Sequence, residues 1–312
     1  MPHFKKKDII WLDKTHKKPL IIMDFLGNGC QADVYKAYDY ERRCYVAAKH
    51  CYGRYASDKK TFYQKLVRMV KKPVKDPSLV WPLDVGPMDK NEGFVYTMPI
   101  VEGCRPFTDL ITNKDCVPLK QKLKLLYMAA KSLNGLHEKG FIHGDISDRN
   151  LLYRIGQEGS VSVRFVDCDN VSIPGLSLGV QGSGRYRAPE LLVLGKNDNR
   201  ATPSIETERF SFYVLAFRVM MRRHPLDGKY ARSFQADDYD GFLESYGKNP
   251  RFVFDGTSNA PSENIVRKWD GLPDSMRKFF QKAFSQEALK NPKARPDLEE
   301  FIQALAKTYT LI

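Results

Sequence analysis

Cysteine is scarce in this sequence, and its spacing excludes two common uses of the residue. Six cysteines occur in 312 residues, and no two of them form a C-x-x-C pair. Zinc sites usually draw on such closely spaced pairs, and disulfide-stapled domains carry a much higher density of cysteine. We therefore expect no zinc site, and we expect reduced thiols, as in a cytoplasmic protein.

Long apolar runs are also absent. A membrane-spanning helix needs about 18 or more apolar residues in a row, and no uncharged stretch of that length occurs. The N-terminal residues 1–7 include three lysines, but no apolar segment follows them as it would in a secretory signal peptide. The sequence thus predicts a cytoplasmic protein without a membrane span.

Acidic residues are fewer than basic ones, which gives a net charge of +13. Lysines crowd residues 59–75, together with Arg68, and three more lie in residues 120–124. Such clusters can bind nucleic acid, anionic lipid or an acidic partner. Because no nucleic-acid-binding motif accompanies them, we favour the interpretation that they form solvated helix faces. No pattern in the sequence indicates an oligomeric state.

The hydrophobic share of 42% is sufficient for a large core. Apolar periodicity predicts strands over residues 19–26, 34–38, 46–49, 94–101 and 161–166. The helical period predicts helices over residues 57–72, 119–137, 206–222, 273–284 and 296–306. Either Ser57 or Asp58 is a suitable N-cap for the first of these helices.

The stretch from His143 to Asn150 is the most informative part of the chain. Its sequence, HGDISDRN, places the carboxylate of Asp145 five residues before the amide of Asn150. A further carboxylate, Asp167, follows the predicted strand 161–166. Each of these residues could simply cap a turn or a strand end, and individually that interpretation is common. Jointly, the spacing suits phosphoryl transfer, which needs a proton acceptor and oxygen ligands for a metal ion.

Three further segments occur in an order that suits the same chemistry. Residues 27–34, GNGCQADV, form a glycine-rich turn between two predicted strands, where backbone N–H groups can approach phosphate. Residues 46–49, VAAK, end an apolar strand on Lys49. Residues 182–190, GSGRYRAPE, lie downstream, and Arg295 stands near the C-terminus.

These segments resemble the glycine-rich loop, the V-A-I-K lysine, the H-R-D-x-x-x-x-N catalytic loop, D-F-G and A-P-E of protein kinases. The resemblance covers roughly residues 20 to 308, and a group of bacterial Ser/Thr kinase-like proteins with H-G-D-I-S and D-C-D is similar in detail. It implies a bilobal α+β fold, with an antiparallel-sheet N-lobe over about 20–100 and a helical C-lobe over about 101–312. Residues 1–19 would be an extension before the domain.

The resemblance also implies a role for each matching residue. Asp145 would act as the catalytic base, and Lys49 would bind the α/β-phosphates of ATP. Arg149 would place a positive charge on the transferring phosphate. The oxygen ligands of Mg²⁺ would be Asn150 and Asp167. The remaining residues that would form the nucleotide site are Gly27, Asn28, Gly29, Ala32, Val34, Ala47, Met98 and Ile100.

One absence departs from the kinase pattern in the N-lobe. No glutamate lies between Glu41 and Glu92, so the residue that usually pairs with the strand lysine is missing. Gln64 is the best-placed substitute, and a direct pair between Lys49 and Asp167 is the alternative. Asp169 replaces the D-F-G glycine and adds a second carboxylate near the metal.

Further departures concern the C-lobe. Gly144 replaces the arginine of H-R-D, which removes the usual partner of a phosphorylated activation segment. Ser183 stands where Ser/Thr kinases carry a threonine that contacts the catalytic aspartate. Glu208 is the candidate for the acid of the large buried helix, and Arg295 for the partner of Glu190 in A-P-E.

Three functions remain compatible with these residues. The favoured prediction is ATP-dependent and Mg²⁺-dependent phosphorylation of a Ser/Thr hydroxyl on a protein substrate. The missing glutamate supports the second, a pseudokinase that binds nucleotide or a partner without turnover. The third is a kinase-fold enzyme with a non-protein substrate or with nucleotidyl-transfer activity.

Overall fold

The computed structural model of the chain describes residues 3–28, 32–52, 59–114, 116–173, 182–195, 202–235, 237–256 and 258–311. Contacts divide the chain into two compact units. The first unit comprises Met1–Gly103 together with Asp167–Asp169, and the second comprises Cys104–Val166 together with Asn170–Ile312. The short segment Asp167–Asp169 therefore packs with the N-terminal part of the chain.

The first unit is built on an antiparallel sheet of six strands in the order β1-β2-β3-β4-β6-β5. The strands are β1 (Ile9–Trp11), β2 (Pro19–Asn28), β3 (Ala32–Asp39), β4 (Cys44–Cys51), β5 (Asp84–Val85) and β6 (Phe94–Pro99). All four strands predicted in this region are present, and β2, β3 and β4 are longer than predicted.

Residues before the expected domain start belong to this sheet. Strand β1 pairs with β2 through Ile10 and Leu20, among others. The backbone N–H of Phe4 donates to the Tyr35 hydroxyl at 3.1 Å, and that of His3 donates to Asp33. The expected N-terminal extension thus contributes an edge strand, because its apolar side chains complete the apolar cluster beneath the sheet.

The two faces of the sheet carry different side chains. Alternate residues of the strands point to one face and form a buried cluster: Leu12, Leu20, Ile22, Tyr35, Ala37, Val46, Ala48 and Val95. The intervening residues point to the other face, since successive side chains in a strand alternate. Lys49 is on that second face, together with its register neighbours Val34 on β3 and Tyr96 on β6.

One helix, α1 (Lys59–Lys71), completes the described secondary structure of this unit. It agrees with the predicted helix, although the suggested caps Ser57 and Asp58 lie outside the described residues. Its buried residues are Lys65, Leu66 and Met69. Lys65 is therefore not part of a solvated basic face, contrary to the sequence interpretation.

The second unit is mainly helical. Its helices are α2 (Phe107–Thr112), α3 (Leu119–His137), α4 (Pro189–Leu194), α5 (Ile205–Met221), α6 (Tyr239–Leu243), α7 (Glu263–Asp270), α8 (Asp274–Ala283), α9 (Gln286–Lys290) and α10 (Leu298–Tyr309). A small antiparallel sheet accompanies them, formed by β7 (Arg105–Pro106), β8 (Leu151–Ile155) and β9 (Val161–Phe165). The predicted helix over 119–137 is confirmed at both ends. Lys122 is buried within it, so it too was wrongly placed on a solvated face.

Helix α5 forms the centre of the second unit. It is apolar nearly all round, and Phe210, Phe212 and Phe217 are fully buried. The Phe217 ring packs edge-on against Phe280 at 5.1 Å between centroids. A helix without a polar face is typical of a protein interior, which is the position that the sequence predicted. Glu208 is also a buried residue of this helix.

The architecture agrees with the α+β class, with an antiparallel sheet in one unit and helices dominating the other. Within the described part of the chain, no helix combines the length and apolar character needed to cross a bilayer.

Candidate active site

In the first unit, four of the predicted nucleotide-binding residues share one face of the sheet. Val34 lies opposite Lys49 in the β3–β4 ladder, and Ala47 lies opposite Met98 in the β4–β6 ladder. Residues directly opposite each other in an antiparallel pair project to the same side. The strand register therefore brings together side chains that are up to 64 positions apart in sequence, from Val34 to Met98.

The other predicted nucleotide-site residues border this face. Gly27 and Asn28 end β2, where they pair with Val34 and Asp33 of β3. Ala32 begins β3, and Ile100 follows the end of β6. Gly29 lies outside the described residues.

Lys49 makes ion pairs with two carboxylates. Its Nζ lies 3.1 Å from Asp167 Oδ1 and 3.4 Å from both carboxylate oxygens of Asp169. Burial by itself would lower the pKa of Lys49, but Asp169 and then Asp167 outweigh it and raise that pKa. The ammonium is therefore held charged, as a phosphate-binding lysine must be. The predicted alternative, a direct pair with Asp167, is what the structure contains.

The sequence predicts that Asp169 is a second carboxylate near the metal, but in the structure Asp169 is a buried partner of Lys49. Its side chain is only 10% exposed, whereas that of Asp167 is 42% exposed. The Tyr96 hydroxyl donates to Asp169 Oδ2 at 2.6 Å. Burial favours the neutral carboxyl, yet the Lys49 charge and the Tyr96 hydrogen bond hold the pKa of Asp169 below its usual value. Asp169 thus acts as the interior partner of Lys49 and leaves Asp167 the more accessible acid.

The predicted substitute for the missing glutamate is wrong. Gln64 is exposed on α1, and the next residue, Lys65, occupies the inward position instead. The Lys65 ammonium donates to the backbone carbonyl of Asp169, and burial lowers the pKa of Lys65 to about 8. Successive residues on a helix differ by about 100° in direction, so an error of one position is enough to exchange an exposed side chain for a buried one. Helix α1 therefore contributes a cation where the family pattern has an anion.

In the second unit, both oxygens of the Asp145 carboxylate are held. Asn150 Nδ2 donates to Asp145 Oδ2 at 2.9 Å, and the Ser183 hydroxyl donates to Asp145 Oδ1 at 2.7 Å. Asn150 Nδ2 also donates to the Asp145 backbone carbonyl at 2.9 Å. Two fixed hydrogen bonds leave the carboxylate little rotational freedom. Such an arrangement suits a base that must meet a hydroxyl proton in one orientation.

Glu208 fixes the backbone that leads to Asp145. Its carboxylate accepts from the backbone N–H of His143 at 3.0 Å and of Gly144 at 2.7 Å, and it lies 2.7 Å from His137 Nε2. Burial alone would raise the pKa of Glu208, but the His137 hydrogen bond and charge lower it. Gly144 has a φ of 84°, a left-handed conformation that an arginine would adopt at a cost.

Two more predicted features are present in the same unit. Arg295 forms a two-pronged pair with Glu190, with both N–O distances at 2.7 Å, and the arginine side chain is fully buried. Arg149 is exposed, and it lines the same cavity as Asp145. The catalytic assignments thus fall in two groups. Lys49 and Asp167 lie in the first unit, and Asp145, Arg149 and Asn150 lie in the second.

The proposed metal ligands have the donor chemistry that Mg²⁺ prefers. Asp167 offers a partly exposed carboxylate. Among the described residues, the two hydrogen bonds of the Asn150 side chain both use its amide nitrogen, so its amide oxygen is the atom that could bind a cation. Across the described ranges, no cluster of three or more His, Cys, Asp or Glu side chains forms a ready-made metal cage. Mg²⁺ commonly binds through one or two protein oxygens, with water and phosphate completing its shell, so each of these oxygens is a suitable ligand by its chemistry.

Comparison with known proteins extends this description. The family model for the protein kinase domain matches residues 20–305. The chain is 30% identical to the serine/threonine-protein kinase pkn2 of Myxococcus xanthus over 168 residues, which are 52% of this chain and 19% of the relative. It is 26% identical to a probable serine/threonine-protein kinase of Clostridium perfringens over 219 residues, which are 66% of this chain and 29% of the relative.

A eukaryotic relative gives a similar result. Identity to the serine/threonine-protein kinase tousled-like 1-B of Danio rerio is 24% over 227 residues, which are 68% of this chain and 30% of the relative. The aligned region thus covers less than a third of each of these three relatives. The resemblance drawn from the sequence motifs, including that to bacterial proteins, is confirmed at the level of the domain.

Proposed function

Because this chain belongs to the protein kinase domain family, we propose that it transfers the γ-phosphoryl group of ATP, with Mg²⁺, to a serine or threonine hydroxyl of a protein substrate. The observation that carries the proposal is the geometry at Asp145, whose two carboxylate oxygens are held by Asn150 and Ser183. That arrangement leaves one orientation of the acid for an incoming hydroxyl.

Each residue has a definite task in this proposal. The Asp145 carboxylate accepts the proton of the acceptor hydroxyl as the oxygen attacks the γ-phosphorus. The bond between the γ-phosphorus and the β–γ bridging oxygen breaks in the same transfer, and ADP leaves with that oxygen. Lys49 contacts the α/β-phosphates and keeps its charge through Asp169, which is buried beside it. Asn150 and Asp167 would hold Mg²⁺, which neutralises charge that develops on the phosphate oxygens. The contact between Ser183 and Asp145 supports a Ser/Thr acceptor over a tyrosine acceptor.

The test uses the full chain and Asp145→Asn. With ATP labelled on the γ-phosphate, we expect label to enter a protein or peptide substrate, and none to enter from the α-phosphate. Loss of a general base typically costs about 10²–10⁴ in rate, so the variant should show a turnover loss of that order. Its affinity for Mg²⁺-ATP should stay within about twofold, because the base acts on the acceptor.

A matched control removes the same charge elsewhere in the unit. Asp274 is 60% exposed on α8 and pairs with Arg277 and Lys278 of its own helix, so Asp274→Asn should retain full activity. Transfer of the α-labelled group would instead identify a nucleotidyltransferase. Equal rates for wild type and Asp145→Asn would remove Asp145 from its proposed role.

The second candidate is a pseudokinase that binds nucleotide without turnover. One observation favours it: α1 presents Lys65 to the interior where the family pattern has a glutamate, so Lys49 depends on the acids of segment 167–169. Nucleotide binding with no transfer of either label, to any of a range of protein substrates, would establish this function.

A further inference from the structure

A cavity of about 690 Å³ lies within the second unit, beside the candidate catalytic base. Asp145, Asn150 and Ser183 are among its lining residues, so a chain presenting a hydroxyl to Asp145 would enter this space. We call it the arginine cleft, after the five arginines that line it: Arg149, Arg185, Arg218, Arg222 and Arg223.

The positive charge of the arginine cleft is only partly compensated. Three aspartates also line it, and one of them is Asp145 itself. The other two are already paired, Asp148 with Arg218 at 3.7 Å and Asp227 with Arg232 at 3.1 Å.

Four exposed arginines carry the excess charge. Arg149, Arg185, Arg222 and Arg223 have no carboxylate within ion-pair distance among the residues that the structure describes. Their guanidinium groups are therefore available to a ligand. A concave surface with several such groups focuses a positive potential on whatever enters it.

Two of the five cleft arginines stack on tyrosine rings. The Arg218 guanidinium stacks 4.9 Å from the centre of the Tyr186 ring, and that of Arg185 lies 5.1 Å from the centre of the Tyr246 ring. Such stacking limits side-chain freedom, so less entropy is lost when an anion binds.

His224 holds the backbone of the arginine cleft near Arg185 without adding charge. It is buried, and its Nε2 lies 2.9 Å from the Arg185 carbonyl, while its Nδ1 accepts from the Leu226 backbone N–H at 3.1 Å. Burial lowers the pKa of His224 to about 3. The positive character of the cleft therefore comes from its arginines and not from His224.

We propose that the arginine cleft selects substrates by binding an anionic side chain close to the acceptor Ser or Thr. The anion would be the carboxylate of Asp or Glu or the phosphate of a residue phosphorylated beforehand, since guanidinium groups bind both in a forked geometry. This inference rests on the proposed protein-kinase function. It assigns the substrate class: acidic or pre-phosphorylated segments of protein.

The test measures peptide binding and turnover separately, with the full chain. Three fluorescent serine peptides differ only at two flanking positions, which are Asp, Asn or phosphoserine. The variant is Arg222→Gln/Arg223→Gln. The matched control is Lys290→Gln/Lys293→Gln, which removes the same charge from two exposed lysines of the second unit that do not line the cleft.

We expect the Asp and phosphoserine peptides to bind the wild type at least about tenfold more tightly than the Asn peptide. Two exposed charge contacts together account for a factor of that size. The arginine variant should lose this preference, and the lysine control should keep it. The phosphoserine advantage over Asp should grow from about pH 5 to pH 7, because phosphate takes its second charge near pH 6.

Several results would overturn the inference. One is equal binding of the three peptides by the wild type, and another is the same loss in the lysine control. A third is a charge-matched single-stranded oligonucleotide that binds better than the Asp peptide and is equally weakened by the arginine variant, since the cleft would then be a nucleic-acid site.

Turnover separates this inference from the proposed function. Phosphorylation of all three peptides with equal kcat/KM would overturn the selectivity alone. Selective binding of the Asp peptide without any phosphorylation would support the anion site and count against the transferase activity.

Discussion

Asp169 contacts two lysines of the first unit, Lys49 and Lys65, as well as a buried tyrosine. It contacts Lys49 and the Tyr96 hydroxyl through its carboxylate, and the Lys65 ammonium through its backbone carbonyl. A buried carboxylate of this kind is stable only because each contact favours its charged form. In this chain the acid that orients the strand lysine therefore comes from the segment after β9, and α1 supplies a cation.

The first prediction compares Asp169 with Gln64. Replacing Asp169→Asn should lower turnover by at least about tenfold and destabilise the fold, since breaking a buried ion pair costs about 3–5 kcal/mol. Gln64→Glu should leave turnover within about twofold of wild type, because that side chain is exposed. Steady-state kinetics and thermal unfolding measure both effects.

Partial recovery of turnover by Asp169→Glu would support a role of the charge rather than of the shape. If Gln64→Glu changed turnover more than Asp169→Asn did, the pairing of Lys49 described above would be the wrong one.

At the scale of the element, helix α1 has an unusual inward face. Leu66 and Met69 pack inward as its periodicity predicts, but Lys65 is buried with them. Burial lowers the pKa of Lys65 to about 8, so the unfolded chain binds a proton more readily than the folded one between about pH 8 and the ordinary value of 10.5. The free energy of unfolding then rises with pH across that interval.

The second prediction follows from this rise of the unfolding free energy with pH. The stability of wild type relative to Lys65→Met should increase as the pH is raised from 7 to 10, by up to about 3 kcal/mol for a shift of this size. Lys71→Met provides the control, because Lys71 is exposed on the same helix. Urea denaturation at several pH values measures the unfolding free energy of the wild type and of both variants. A constant difference between wild type and Lys65→Met would show that Lys65 is not buried as a cation.

Helix α5 supports the third prediction through Glu208. Its carboxylate accepts two backbone N–H groups of the loop before Asp145 and contacts His137. Glu208→Gln offers one acceptor oxygen and places an N–H₂ group against a donor, which costs roughly 1–3 kcal/mol. We expect kcat to fall and the affinity for Mg²⁺-ATP to stay near that of wild type. Glu206→Gln makes the same charge change in the first turn of α5 and should alter kcat little.

At the scale of the whole molecule, buried neutral histidines limit acid stability. Burial lowers the pKa of His50 to about 4, and that of His224 to about 3. Each binds a proton more readily in the unfolded chain, so stability is lost as the pH falls below about 6.5. Asp169 and Glu208, whose pKa values are lowered, add to the loss at still lower pH.

The fourth prediction isolates one of these groups. The unfolding free energy of wild type should fall as the pH is lowered from 6.5 to 4, and His50→Phe should show a shallower fall. Phenylalanine suits the site, because His50 already packs against Phe4 with 4.6 Å between ring centroids. His16→Phe, at an exposed position, should retain the wild-type slope. Identical slopes for His50→Phe and wild type would contradict the burial of a neutral His50.

The sequence determined the features that depend on local periodicity and on ordered motifs. The span of α3 followed from its apolar repeat, because that repeat continues unbroken from Leu119 to the end of the helix. The pair between Glu190 and Arg295 and the contact between Ser183 and Asp145 followed from the family resemblance. The order of the motifs indicates which residues form the candidate site, even before the distances between them are known.

The sequence offered Gln64 or Asp167 as the partner of Lys49, and only tertiary structure decided between them and added Asp169. Asp167 and Asp169 lie 118 and 120 positions away from it in sequence, and no local pattern encodes which acid turns inward. The same limit explains the error at Gln64: a lysine normally indicates a solvated face, so Lys65 was expected to be exposed. Lys65 is buried because a backbone carbonyl from a distant segment accepts its hydrogen bond. A partner of that kind exists only after the chain has folded.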